Sequence, residues 1–388
     1  MKIAILLLNA GRGSGEVARQ HVRQLVALGH DVVFLHPRIG DGVAGATNLD
    51  IELPGPVTPV HEYLPSAGAD QKAVSQMTYE DAMTFVPVYE RALESVVDDV
   101  DVVIGHHANL VALATARVCR RRNKRYVLFL HGTGIEPRHH GGYDDRLWAE
   151  IDGAIRSADG LLVTTEYVRE ELVRAIVDVP AQRFLVLPCG IDLNEFHPGR
   201  AGEAAARHGI ERPYVLCPGA LTDSKGPQNV VAASEQYADL APTIFIGAGE
   251  LQAELEERLG KRGRFLGFVS AEDKAELING ATLLVAAPEK KEHFGIIYAE
   301  ALAGGTPCVA YEGGGVDSIV TPDVGILVSR NPTALGRAIR ELLTDEPRRL
   351  DMADRARRRA EKRFDTVQLA KVLEQWLAEI GRRPAEVR

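Results

Sequence analysis

Short β-branched runs and helix-length segments alternate along this chain, and the alternation occurs twice. KIAILLL (2–8), DVVFLHP (31–37), DVVIGHH (101–107), RYVLFLHG (125–132), GLLVTT (160–165) and FLVLPCG (184–190) form the first series. YVLCPGA (214–220), TIFIGAG (243–249), RFLGFV (264–269), TLLVAAP (282–288), TPCVAYE (306–312) and VGILVS (324–329) form the second. Strands joined by helical crossovers run parallel, and a parallel sheet must be covered on both faces. Glu16–Leu28, with Val17, Val22, Leu25 and Val26 near one face and Gly29 at its end, reads as the first such helix. The polar segment IDLNEFHPGRAGEAAARHGIERP separates the two series. The predicted fold class is therefore α/β, with two doubly wound domains at 1–195 and 196–365. RRLDMADRARRRAEKRF and DTVQLAKVLEQWLAEI read as two closing helices, the last (366–388) returning to the first domain, and the arginine run as a solvated face. Doubly wound sheets bind ligands outside the carboxyl ends of their strands, here expected to face a central cleft.

Composition narrows the partners. A formal net charge of −9 argues against nucleic acid, which would want a basic stripe. No apolar run reaches the ~18 residues a membrane span needs, although peripheral membrane contact stays open. MKIAILLLNAGRG reads as a buried first strand and not as a secretory signal, so a cytoplasmic location is expected. Cys119, Cys189, Cys217 and Cys308 lack a C-x-x-C spacing and are expected to be small core residues.

Gly11, Gly13 and Gly15 lie between the first strand and first helix. The third glycine falls one residue early for a dinucleotide fingerprint, and no GK[ST] makes a phosphate loop. Backbone amides there could approach an anion or a sugar, and a plain tight turn explains the loop equally well.

The second series carries more chemistry. Lys225 sits before Gly226 and Pro227 at an expected helix start, where its charge would suit a phosphate. In EKKEHFGIIYAEALAGG, a helix is expected from Phe294–Gly295 to about Ala303, ended by Gly304 and Gly305. Glu292 then lies in the preceding loop and Glu300 inside the helix, among apolar residues where a carboxylate needs partners. A solvated Glu300 beside Tyr298 is the plainer alternative. A ribose diol could meet both oxygens of Glu300, the Phe294–Gly295–Ile296 amides could hold phosphate opposite Lys225, and Glu292 could accept from hydroxyls of a sugar beyond.

These residues resemble the retaining glycosyltransferases of family 4. The resemblance rests on Glu292 and Glu300 in E-x7-E, the continuation to Pro307, the following GGG, Lys225–Gly226, FLGFV (265–269), CGIDLNEF (189–196) and GHDV (29–32). It covers about residues 1–365 and implies a GT-B fold of two Rossmann-like domains, a nucleotide-diphospho-sugar donor (UDP- or GDP-sugar) as substrate, no cofactor and no catalytic metal. By resemblance the donor site comprises Gly13, Gly15, Lys225, Phe268 beside the base, and Glu292, His293, Phe294, Gly295, Ile296 and Glu300. His131 in FLHGT matches the family's histidine near the reacting sugar, so His131, Glu292 and Lys225 are the candidate catalytic residues, although a satisfied turn residue would also explain His131. His106, Glu166 and Arg12 are assigned to the acceptor side.

One departure stands out. The family usually has G-R-L ahead of K-G, and this chain has Gly219–Ala220–Leu221, so the diphosphate arginine is missing, and Arg12 or Arg264 could substitute for it. Asp99–Val100–Asp101 imitates a metal-binding D-x-D but precedes a strand, at the end away from the ligand side. His106–His107 and His139–His140 lack further ligands for a metal. The expected function is retaining transfer of a sugar to the hydroxyl of a small-molecule, glycan or lipid-linked acceptor. A sugar-nucleotide epimerase and a non-catalytic sugar-nucleotide-binding protein are the rivals. Ile135–Trp148 and the region Glu62–Tyr89 are expected to shape the acceptor pocket.

Overall fold

The computed structural model describes residues 1–9, 13–37, 42–61 and 70–382. The chain divides into two compact units, Met1–Gly190 with Val367–Arg388, and Ile191–Thr366. Each is built on one parallel sheet.

In the first unit the strands are β1 (Lys2–Leu6), β2 (Asp31–His36), β3 (Thr47–Asp50), β4 (Thr58–Val60), β5 (Gln71–Ala73), β6 (Val102–His106), β7 (Arg125–Leu130), β8 (Gly160–Val163) and β9 (Phe184–Val186). Its helices are α1 (Gly13–Ala27), α2 (Tyr79–Glu94), α3 (Leu110–Arg121), α4 (Glu136–His139) and α5 (Asp145–Ser157). The main sheet has the order β3-β2-β1-β6-β7-β8-β9 with parallel pairing. Val102–His106 is buried along its whole length, as expected of a strand covered on both faces. β4 and β5 pair separately. Three strands escape the sequence pattern because TNLD, TPV and QKA carry too little apolar periodicity to announce themselves.

The second unit contains β10 (Val215–Pro218), β11 (Thr243–Ile246), β12 (Gly263–Phe265), β13 (Leu283–Ala286), β14 (Cys308–Tyr311) and β15 (Gly325–Val328). Around them lie α6 (Ala204–Arg207), α7 (Pro227–Ala233), α8 (Gln252–Leu259), α9 (Ala271–Gly280), α10 (Ile296–Ala303), α11 (Pro332–Thr344) and α12 (Glu346–Arg363). The order β12-β11-β10-β13-β14-β15 is again parallel. In both sheets the order in which strands are added reverses once, between β1 and β6 and between β10 and β13. Those switch points are where such sheets leave a crevice for ligands.

RFLGFV is shorter as a strand than its composition suggests. β12 stops at Phe265, because Gly267 turns left-handed at φ +70° and leaves the ladder. The arginine run of α12 is not only a solvated face. Arg357 donates to the carbonyls of Leu193, Phe196 and Ala303, and Arg359 to those of Ser318 and Ile319. The last helix, α13 (Thr366–Arg382), belongs to the first unit from Val367 onward, where Glu374 Oε1 accepts from His30 Nε2 at 2.9 Å. The four cysteines are buried.

Trp376 and Ile380 of α13 press on β8 so closely that a Cβ at Gly160 would lie 2.5 Å from the indole and 2.8 Å from Ile380. Gly160→Ala should therefore lower stability by ~1–3 kcal/mol through overpacking. Gly153→Ala, whose Cβ would meet nothing within 4 Å on helix α5, should be neutral or stabilising. Urea unfolding followed by tryptophan fluorescence compares the two, and equal effects would remove the packing argument.

Candidate functional site

The carboxyl ends of β10 and β13 flank the second unit's switch point, and the loops leaving them are stitched together. Gly226, at φ +65°, comes so near that a Cβ would sit 1.9 Å from the Ala287 carbonyl oxygen. Glu289 donates its amide to Ser224 O at 3.1 Å, and Asn229 Nδ2 donates to Ala287 O at 3.1 Å and Glu289 Oε1 at 2.7 Å. This backbone contact brings Lys225 Nζ to 2.9 Å from Glu292 Oε1. The two residues assigned by sequence to phosphate and to sugar thus form an ion pair with each other.

Glu292 is held from behind. Its carbonyl accepts from Gly315 N at 2.6 Å, and it bridges Gly314 in parallel fashion, so the GGG segment is part of the site's frame. Gly295 precedes α10 at φ +88°, where a Cβ would strike the Tyr298 ring at 2.6 Å. No side chain caps this helix. Tyr298 N donates to Gly295 O at 3.1 Å, and an uncapped helix start with the positive end of the helix dipole favours an anion. Phe294 is buried, whereas His293 and Ile296 are half-buried.

Glu300 is 6% exposed, and Tyr298 at 1% shares its burial, which rules out the solvated stripe. Lys274 Nζ, from α9, lies 2.6 Å from Glu300 Oε1, while Glu300 Oε2 is buried with no hydrogen-bond partner. The two oxygens expected to meet a diol therefore differ: Oε1 already accepts from Lys274, whereas Oε2 has no hydrogen-bond partner in the fold. Sequence reasoning missed Lys274, which stands 26 residues before Glu300 on a different helix.

Phe268, expected beside the base, lies past the end of β12 and is 74% exposed. Arg264 does not replace the diphosphate arginine. Its guanidinium donates to His208 O and Gly209 O, on the segment that leads into the start of β10, opposite the carboxyl ends. Arg12 and Gly11 fall outside the described residues, as does Glu62.

In the first unit Gly13 and Gly15 belong to the opening turn of α1, not to a preceding loop. The helix starts three residues before Glu16, and Gly15 is buried there. His106 and His131 lie at the ends of β6 and β7, and share one N–H···N bond at 2.9 Å between His106 Nδ1 and His131 Nε2. His131 stacks on Phe129 (3.8 Å) and lies 4.4 Å from His107, which in turn packs 3.7 Å from His61. Asn109 donates to His61 Nε2 at 3.1 Å. His21 of α1 stacks on the same Phe129 at 5.4 Å. Sequence reasoning missed His21, although it sits four residues after Val17 on the helix's buried stripe. His106 Nε2 and His21 Nδ1 are buried without partners.

Among the described residues no group of three or more His, Cys, Asp or Glu is placed to hold a metal. His139 Nε2 instead bonds to Leu172 O, and Asp101 accepts the Lys2 amide at 2.7 Å at the start of the sheet. Glu166 is exposed beyond β8 and pairs with Arg169. No helix among the described residues is long and apolar enough to cross a membrane.

Two family models match this chain: Glycosyltransferase Family 4 over residues 11–195 and Glycosyl transferases group 1 over 203–359. The chain belongs to glycosyltransferase family 4. Among its family 4 relatives, the D-inositol 3-phosphate glycosyltransferases of Xylanimonas cellulosilytica and Catenulispora acidiphila are 32% and 33% identical over 252 and 279 residues. These alignments cover 60% and 65% of this chain, and 60% and 66% of the relatives' own length. Sucrose-phosphate synthase from Thermosynechococcus elongatus is 19% identical with a TM-score of 0.78, covering 98% of this chain and 99% of that one. The Anabaena HepE protein in complex with UDP is 18% identical with a TM-score of 0.74, covering 98% and 100%. The fold is GT-B.

Burial favours the neutral form of three first-unit histidines in this family 4 chain, His21, His61 and His106. It lowers His21 to about 4 from 6.5, lowers His61 to about 4, and takes His106 well below its ordinary value, with His21 as a secondary cause. The unfolded chain then binds more protons than the folded one between pH 6.5 and 4. The stability these rings contribute is complete above 6.5 and is lost as pH falls toward 4. Denaturation midpoints measured from pH 7.5 downward should show this loss, and His21→Leu should flatten part of it. A variant with the same pH dependence as the parent would refute the assignment.

Proposed function

We propose that this protein is a retaining, metal-independent glycosyltransferase that moves a sugar from a UDP- or GDP-sugar to an acceptor hydroxyl. The observation that carries the reading is the group at the second unit's switch point. Lys225, an uncapped helix start and the half-satisfied Glu300 follow one another in the order that a diphosphate and a ribose require.

The proposed step is simple in its balance. The bond between the anomeric carbon and the diphosphate oxygen breaks, and a bond to the acceptor oxygen forms on the same face. The acceptor proton passes to a diphosphate oxygen. Negative charge therefore grows on the leaving group, and Lys225 with the amides at the start of α10 would stabilise it. The Lys225–Glu292 pair is no obstacle, because Lys225 is half exposed and such a pair is worth only ~0–1 kcal/mol. A diphosphate carrying more than one charge can take Lys225 from Glu292. Glu292 is then free to accept from the sugar hydroxyls.

In the first unit, His131 and His106 are the groups proposed to meet substrate. Burial keeps His106 uncharged near neutral pH, which suits hydrogen bonding to hydroxyls better than ion pairing. Gly13 and Gly15 would contribute backbone in the first turn of α1, and Phe268 an exposed ring for the base. Relatives named for D-inositol 3-phosphate make inositol phosphate the first acceptor to try.

Calorimetric titration of a UDP- and GDP-sugar panel into the parent and Glu300→Gln tests the reading. The parent should bind at least one donor, and Glu300→Gln should weaken it about tenfold or more, the loss of one hydrogen bond to a charged group. If no donor binds, or the substitution leaves affinity intact, the reading fails. Conversion of the donor without any acceptor would mark an epimerase instead.

A further inference from the structure

Glu300 presents an unusual state for a buried carboxylate: one oxygen bound at 2.6 Å, the other bare. Leaving a buried acceptor unsatisfied costs free energy, and more so when it is charged. Most such groups in a fold are satisfied by neighbours, so an exception calls for a reason. Here the fold supplies a single cation to a single oxygen and leaves the second for something outside the chain.

Lys274 is well placed to impose that asymmetry. α9 begins at a Ser270 cap that accepts from Asp273 N at 3.0 Å, so Lys274 sits in a turn whose start is fixed. The far end of the helix is tied down by Asn279, which donates to the carbonyls of Glu195 and Arg200. The lysine stem crosses toward the Phe196 ring, with Nζ 5.8 Å from its centroid. Its ammonium then reaches Glu300 Oε1 and leaves Oε2 unoccupied. The side chain is about one-third exposed, so the ion pair spans the boundary between solvent and core.

We infer that Lys274 is a positioning residue for nucleotide recognition: by holding Glu300 Oε1 it orients the unpartnered Oε2 as an acceptor for a ribose hydroxyl. This rests on the proposed donor reading, in which Glu300 meets the ribose. The consequence is specific. Lys274 touches no part of the donor, and its contribution is confined to molecules that carry the hydroxyl Glu300 would accept from. A lysine needed only for packing would affect every nucleotide alike.

The experiment compares UDP and GDP with their 2′,3′-dideoxy counterparts, by calorimetry, on the parent, Lys274→Met, Lys274→Arg, Glu300→Gln and Lys274→Met/Glu300→Gln. The parent should prefer its ribonucleotide over the dideoxy form about tenfold or more. Lys274→Met should lose most of that preference while binding the dideoxy nucleotide as the parent does, which also shows that the variant is folded. Lys274→Arg should restore the preference, since a guanidinium can still reach Oε1. The double variant should be no worse than Glu300→Gln alone, because both changes act through one carboxylate.

Equal weakening of ribo and dideoxy forms by Lys274→Met would overturn the inference, as would an unchanged preference. In either case a Glu300→Gln variant that still loses ribonucleotide affinity leaves the donor reading standing. If the parent binds no nucleotide, or Glu300→Gln changes nothing, the donor reading falls and this inference with it.

Discussion

The second unit is organised around the burial of one carboxylate. Glu300 lies among Tyr298, Ala299, Ala301 and Leu302, all at 1% exposure or less. An ionised group in such surroundings costs several kcal/mol unless it is compensated. Lys274 compensates one oxygen, and that requires α9 and α10 to pack side by side in a fixed register. α10 must in turn begin sharply, because Glu292 in the loop before it and Glu300 inside it are held by different neighbours. Gly295 permits the sharp start, and Tyr298 fills the space that any other residue would need. The frame behind Glu292, the Gly226–Ala287 approach in front of Lys225 and the α9 lysine are consequences of one choice, a charge inside an apolar helix.

The same logic explains why the two loops at the switch point approach at backbone distance. A side chain at Gly226 would force the β10 and β13 loops apart by its clash with Ala287 O. Lys225 would then leave Glu292, and a cation would no longer stand over the start of α10. Short-range packing of glycine against carbonyl thus sets a charge arrangement several residues away. The pair itself contributes little stability, being half exposed. It does hold Lys225 and Glu292 in place, each available for exchange.

The parallel sheets were legible because their strands are buried on both faces, so Val, Ile and Leu accumulate in runs such as VVI and LLV that helix-length segments separate. The edge strand Thr47–Asp50 and the pair Thr58–Val60 and Gln71–Ala73 were not, since strands of three or four residues are too short to show an apolar pattern. The start of α1 was misjudged for a related reason: Gly13, Ser14 and Gly15 are poor helix formers, and the tertiary fit of Gly15 overrides that preference. In the candidate site, the spacing of Glu292 and Glu300 along one segment could be read directly. His106 and His131 were read at strand ends, but Lys274, His21 and His61 were not, because they come from separate elements and leave no spacing in the sequence. Arg264 was a reasonable substitute on sequence grounds, and only its attachment to His208 and Gly209 excludes it.

The two switch points solve the problem of polar groups at strand ends in opposite ways. In the second unit, Lys225 with Glu292 and Lys274 with Glu300 keep full charges and balance them pairwise. In the first, His21 and His106 are stripped of charge by burial, and ring contacts with Phe129, stacked for His21 and tilted for His106, take the place of ion pairing. A neutral imidazole can donate and accept at once, whereas a carboxylate only accepts and an ammonium only donates. Neutral rings therefore suit hydroxyl groups, which also do both, and paired charges suit phosphates and a ribose. Charge at the first switch point would have demanded a counter-ion there, and the neighbour that His21 and His131 stack on is the apolar ring of Phe129. The division of chemistry between the sheets follows from what each set of side chains can bear when water is removed.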